Sequence, residues 1–267
     1  MKDLGNFIKR YGASKWMSVL LLLPVILFLA GGVWLLLLRN SATPENQPFL
    51  LVAAIVAFAA GVVFLLLRQK KLVREQFWLY EQGIKVTGGK NPPEDSLLFT
   101  EIGQVYRFVS GSQSPAPDNL AFRRDDKDNW KLITPKIAAS GELIKLFLEK
   151  HLEQQGREWA AQLEAGKRLY FTYLTETGKW NSRLLADGTK HRPLDLPVKT
   201  LSLDKFTLHV EDNTYALNET ATVQVNNWSD AVTLTEKSGR KIFSVPYLSL
   251  FNADLFIQLV NHLTRKG

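Results

Sequence analysis

Residues 16–38 read WMSVLLLLPVILFLAGGVWLLLL, a run without one charged side chain. About 20 consecutive apolar residues make a helix long enough to cross the roughly 30 Å hydrocarbon layer of a bilayer. After RNSATPENQP (39–48) the pattern returns in FLLVAAIVAFAAGVVFLLL (49–67), again uncharged. A signal peptide has a shorter apolar core and no second span behind it. A helix of a soluble domain is seldom apolar on every face. The two runs predict a transmembrane hairpin over 16–67, with helices at 16–38 and 49–67.

The flanks orient it. Lys2, Lys9, Arg10 and Lys15 precede the first run; Arg68, Lys70, Lys71 and Arg74 follow the second; the loop between holds one Arg and one Glu. Basic flanks stay in the cytoplasm. Both termini are thus expected inside a bacterial inner membrane, with residues 1–15 a cytoplasmic N-terminal segment and 68–76 a basic linker. Lys9, Arg10, Lys15, Arg68, Lys70, Lys71 and Arg74 are the candidate contacts to anionic lipid. The formal charge of +7 gathers in these flanks, because residues 75–267 hold 24 basic and 24 acidic residues. The high pI therefore reads as topology and implies no nucleic-acid partner. There is no cysteine, which excludes disulfides, thiolate nucleophiles and Cys-based metal sites.

Ala53, Ala57 and Gly61 recur every fourth residue and give the second helix a face of small side chains. Such a face receives the first helix near Gly31 and Gly32, or a second copy of the chain. Pro24 is a candidate kink in the first helix.

Beyond the linker the patterning becomes extended. FWLYEQGIKVT (77–87), LLFTEIGQVYRFVS (97–110), NLAFRR and NWKLITP read as strands, the last two as a hairpin around DDKD. ELIKLFLEKHL then carries helical spacing, with Leu143, Ile144, Phe147 and Leu148 on one face, and REWAAQLEAG prolongs it to a stop at Gly166. The cycle restarts with RLYFTYL (168–174). After a polar, proline-containing stretch it continues through short strands to ADLFIQLVNHL, where Leu255, Phe256, Leu259, Val260 and Leu263 share a face. Two endings match: PKIAASGELIKLFLEKHL (135–152) and PYLSLFNADLFIQLVNHL (246–263). Upstream, Glu101–Val105 alternates as Glu219–Val223 does. The chain is expected to repeat one unit, a bent antiparallel sheet closed by an amphipathic helix, over 77–166 and 167–267.

Tyr80-Glu-Gln-Gly-Ile84, Phe99-Thr-Glu-Ile102 and Lys131-Leu-Ile-Thr-Pro135, with the helix after it, resemble the strands and closing helix of bacterial pleckstrin-homology-like (PH-like) membrane proteins. The resemblance implies a membrane-anchored α+β chain: a two-helix transmembrane hairpin followed by two PH-like units. It implies no catalytic residue.

Sites of chemistry are sparse. His151 and His262 sit near the ends of the two amphipathic helices, where a helix dipole favours a protonated ring. No HExxH, P-loop or GxSxG motif occurs. Asp125, Asp126 and Asp128 lack the glycine and distal glutamate of a calcium loop and read as a solvated hairpin tip. Trp180, in a Gly-Lys-Trp-Asn turn, is a candidate partner contact. No catalytic, cofactor or metal site is expected. The expected role is non-enzymatic binding or scaffolding of a protein partner or membrane lipid, or, alternatively, that of an accessory subunit of a larger membrane complex.

Overall fold

The computed structural model describes residues 2–13, 19–20, 22–71, 75–88, 94–109, 117–175, 197–226 and 231–266. The chain is mixed α+β, with two apolar helices near its N-terminus and, among the described residues, four antiparallel sheets.

The apolar helices are α1 (Leu23–Ser41) and α2 (Gln47–Lys71), packed side by side. Both are long and apolar enough to cross a membrane. Most of their side chains point outward; Leu27 is 74% and Phe49 73% exposed. Pro24 lies in the first turn of α1, where its missing N–H costs no helical bond, so it starts the helix and does not kink it. The small-residue contact is real but rotated from the expected face. Ala54, Gly61 and Gly32 are buried, while Ala53 and Ala57 are only half-buried. A Cβ on Gly32 would lie 3.0 Å from the Phe58 ring, and one on Gly61 3.1 Å from Leu29.

The segment ahead of α1 is structured. Phe7–Tyr11 form β1, and β1 pairs antiparallel with β2 (Gln76–Tyr80), which follows α2: Phe7 faces Tyr80, Arg10 faces Trp78 and Tyr11 faces Phe77. Both helices are therefore inserted between two adjacent strands. β3 (Gly83–Thr87) and β4 (Glu94–Leu98) complete a sheet in the order β1-β2-β3-β4. Glycine is required at position 83, since a Cβ there would lie 2.3 Å from the Leu97 carbonyl oxygen. A 3-10 turn, Phe99–Glu101, leads into β5 (Gln104–Phe108), β6 (Asn119–Arg123) and β7 (Lys131–Ile133), a second sheet. α3 (Ser140–Glu164) closes it and ends at Gly166, φ +80°. Phe77, Leu79, Ile84, Leu97, Phe99, Phe122 and Phe147 form the shared core, and Tyr11 joins them from β1.

The same succession follows. β8 (Leu169–Leu174), β9 (Val198–Leu203), β10 (Thr207–Val210) and β11 (Asn213–Ala216) pair in sequence order. A 3-10 turn, Leu217–Glu219, precedes β12 (Thr220–Asn226), β13 (Ala231–Glu236) and β14 (Lys241–Pro246), and α4 (Ala253–Lys266) closes them. Leu255, Phe256, Leu259, Val260 and Leu263 are all buried, as their spacing predicts. The C-terminal half of α3 joins this second core through Leu163, Trp159 and Ala160. One helix thus serves two cores. Gly156 is where α3 meets α4 closely: a Cβ there would lie 3.2 Å from the Gln258 side chain.

The sequence match between the two endings is shifted by two residues in space. Ala138 N donates to Gly12 O, and Phe251 N to Thr172 O; left-handed Ala139 and Asn252 then start the helices. These pairs lie 113 positions apart, whereas His151 and His262 lie 111 apart. The 3-10 turn Tyr247–Ser249 separates β14 from this junction. The two histidines consequently occupy different environments: His151 is buried in mid-helix, and His262 is exposed.

Candidate functional site

Three places stand out among the described residues, and none is the basic collar as a whole. Lys9 is held by Glu142 of α3 at 2.7 Å, and Arg10 lies over the Trp78 ring, 4.8 Å from its centroid. The backbones of Arg68, Lys70 and Lys71 belong to the last turns of α2. Lys15, Arg74 and Trp180 lie outside the described residues.

The first place is the junction of the two cores. Asn252, at φ +54°, turns its amide onto β5: its Oδ1 accepts from Val105 N at 2.9 Å, its Nδ2 donates to Gly103 O at 2.7 Å, and its own N donates to Val105 O at 2.8 Å. Asparagine suits the position because it tolerates left-handed backbone and carries both donor and acceptor. Beside it Tyr106, Phe251, Trp130 and Leu174 form a small apolar cluster. A narrow cleft opens here, lined by Arg107, Leu148, His151, Tyr247, Asn252 and Asp254. Arg107 Nη1 donates to Tyr247 Oη at 2.9 Å, and Tyr247 Oη donates to Asp254. Burial, then the Asp254 charge, push the Tyr247 hydroxyl far above its usual range. Leu148, half-buried, lines this cleft at the edge of the first core.

His151 stacks on Phe147 and its Nε2 lies 3.1 Å from Ile102 O. Burial lowers its pKa to about 4, so the ring is neutral at physiological pH and Nε2 carries the proton donated to Ile102. The dipole reading of His151 fails because α3 runs on to Glu164, well beyond it.

The second place is the β6–β7 hairpin. Asp126 is exposed, but Asp128 is not a solvated tip residue: its side chain is 15% exposed and accepts from Arg124 and Lys131. Asp95 of β4 binds the same two cations, so the four charges join the two sheets of the first core. Burial pushes the Asp95 carboxyl up, but the bonds from Arg124 and Lys131 outweigh it and hold it below the usual range.

The third is the outer face of the first sheet, where Phe7 packs on Trp78 and Tyr80 at 5.8 and 5.6 Å between ring centroids. The aromatic–basic run FIKRY carried this signal, but beside a long apolar run it reads as a charged flank. Among the described residues no three His, Asp or Glu side chains are grouped to hold a metal ion. No family model, curated protein or solved structure matches the chain.

Proposed function

We propose that this chain is a non-enzymatic binding or scaffolding module anchored by two crossings of a bacterial inner membrane, with both termini cytoplasmic. The observation that carries the reading is the pairing of β1 with β2. Strands that hydrogen-bond to each other lie on one side of a bilayer, so the chain between them crosses an even number of times. Two helices of spanning length supply that number, and the basic flanks assign the side.

The soluble part reads as two PH-like units in tandem. Each runs through four strands, a 3-10 turn, three strands and a closing helix. Glu101 and Glu219 end the equivalent turns. Ala13–Ile137 and Tyr173–Leu250 bridge equivalent places. The membrane hairpin then occupies the first inter-strand connection of the first unit, where the second unit has the long connection from β8 to β9. Joined by the Asn252 bonds and one shared helix, the units suit the presentation of a fixed surface to a partner or to lipid.

Affinity purification of the full chain from native membranes, with proteins and lipids identified, tests the binding role. A partner or lipid retained by the parent and lost from a Tyr11→Asp variant supports it. A chain that retains neither contradicts it.

A further inference from the structure

We propose that the outer face of the first four-stranded sheet docks on the headgroup layer of the same bilayer, through Phe7, Arg10, Trp78 and Tyr80; this rests on the membrane reading above. The register puts Arg10, Trp78, Lys85 and Ser96 in one row across the sheet, with Phe7 opposite Tyr80 beside it. Leu79 and Phe77 alternate into the core, so this row faces outward.

The chemistry of the face fits a membrane interface. Phe7 is 52% exposed although it packs on two aromatic rings, and its neighbour Ile8 is exposed too. Tryptophan and tyrosine favour the headgroup level, where an apolar body and a polar edge are both satisfied. Lys9 and Lys85 are neutralised by Glu142 and Glu94. Arg10, in contrast, pairs with no carboxylate among the described residues and lies over Trp78. A guanidinium in that position is free to take a phosphate through two parallel N–H bonds. Beneath it the Trp78 indole N–H is enclosed without an acceptor among the described residues, a donor that a lipid oxygen reaches only when the side chains covering it part.

Position fits as well. β2 starts five residues after α2 ends, which limits the gap to about 17 Å at full extension. The equivalent row of the second sheet, Tyr170, Ser202, His209 and Thr214, holds no arginine or lysine, and the helix before it, α3, is too polar to cross a membrane. The occupant is therefore the anionic lipid surface beside the anchor.

The cysteine-free chain makes the test direct. Full-length protein carrying a nitroxide at Ser96→Cys is reconstituted in phosphatidylcholine with and without phosphatidylglycerol. Collisions with lipid-dissolved oxygen and with an aqueous nickel chelate are then compared. The expected result is a higher oxygen-to-nickel ratio when phosphatidylglycerol is present, reversed by high salt and by Arg10→Glu with Phe7→Ser. A label at Val56→Cys should be lipid-exposed in every sample. The docking is overturned if the Ser96 label stays as aqueous as one at Asp212→Cys in both lipid mixtures. It is overturned also if the label is shielded from both reagents, which would mean that protein covers the face. Should the Val56 label itself be aqueous, the membrane reading fails with it.

Discussion

Tyr11 and Phe77 are cross-strand partners although both apolar helices lie between them in the sequence. Tyr11 is 2% exposed, and its hydroxyl donates to Glu142 at 3.2 Å. Removing its ring should open the first core. Tyr11→Ala is expected to destabilise that core by about 3–5 kcal/mol, as large-to-small aromatic changes do, and Tyr11→Phe by about 1 kcal/mol. Limited proteolysis of the reconstituted chain checks this: cleavage should begin between residues 76 and 133 and spare 198–266.

His151 should make the protein acid-sensitive. Its folded pKa is depressed to about 4 against an ordinary 6.5. The unfolded chain then binds the extra proton first, so stability is full above about pH 6.5 and falls as pH drops toward 4. The loss attributable to this ring is at most about 3 kcal/mol. Urea titrations across that window should show the slope in the parent. A His151→Gln variant should have lower stability at neutral pH but a flatter profile.

Asn252 should set how rigidly the two cores are joined. Asn252→Gly keeps the left-handed backbone accessible and removes both side-chain bonds to β5. Leaving Val105 N–H and Gly103 C=O without partners should cost about 1–3 kcal/mol each. Distance distributions between labels on Asp126→Cys and Ser238→Cys should broaden, while the hydrogen-exchange protection of each core is retained.

The ion group between the first two sheets should respond asymmetrically. Lys131 is 8% exposed and binds Asp95 and Asp128. Asp95→Ala should cost about 3 kcal/mol, because it leaves a buried cation with one carboxylate fewer. Asp126→Ala, at the exposed tip, should be within about 0.5 kcal/mol of the parent. Thermal unfolding of the two variants separates these cases.

Periodicity and hydropathy carried much of the architecture. The uncharged runs gave the helices, and the 3.6-residue spacing gave α3 and α4 with their buried faces. Glu101 and Glu219, matched for strand-like alternation, instead end 3-10 turns that lead into equivalent strands, so the stretch 97–110 holds a turn between two strands. What stayed hidden depends on distant pairing. The five residues Phe7–Tyr11, apolar and basic, lie before an uncharged apolar run and carry no sign that their partner strand lies beyond both helices. The match of His151 with His262 misled because helical spacing tolerates a shift that backbone pairing does not. Asp128 looked like a tip residue because sequence shows its charged neighbours but not Asp95, which meets it from another sheet. The small-residue face was only partly placed: Gly61 is buried as expected, but Ala54 rather than Ala53 is buried, and one residue on a helix turns the face by about 100°.

On the proposed topology, two membrane crossings inserted between the paired strands β1 and β2 hold both ends of the chain on one side. Single cysteines at Asp3, Glu45 and Asp212 of this cysteine-free protein, probed with an impermeant maleimide in sealed vesicles of known orientation, decide whether they do. Asp3→Cys and Asp212→Cys should react only from the cytoplasmic face, and Glu45→Cys only from the opposite one. Reaction of the Asp3 and Asp212 positions from opposite faces would contradict the pairing of β1 with β2 and the topology built on it.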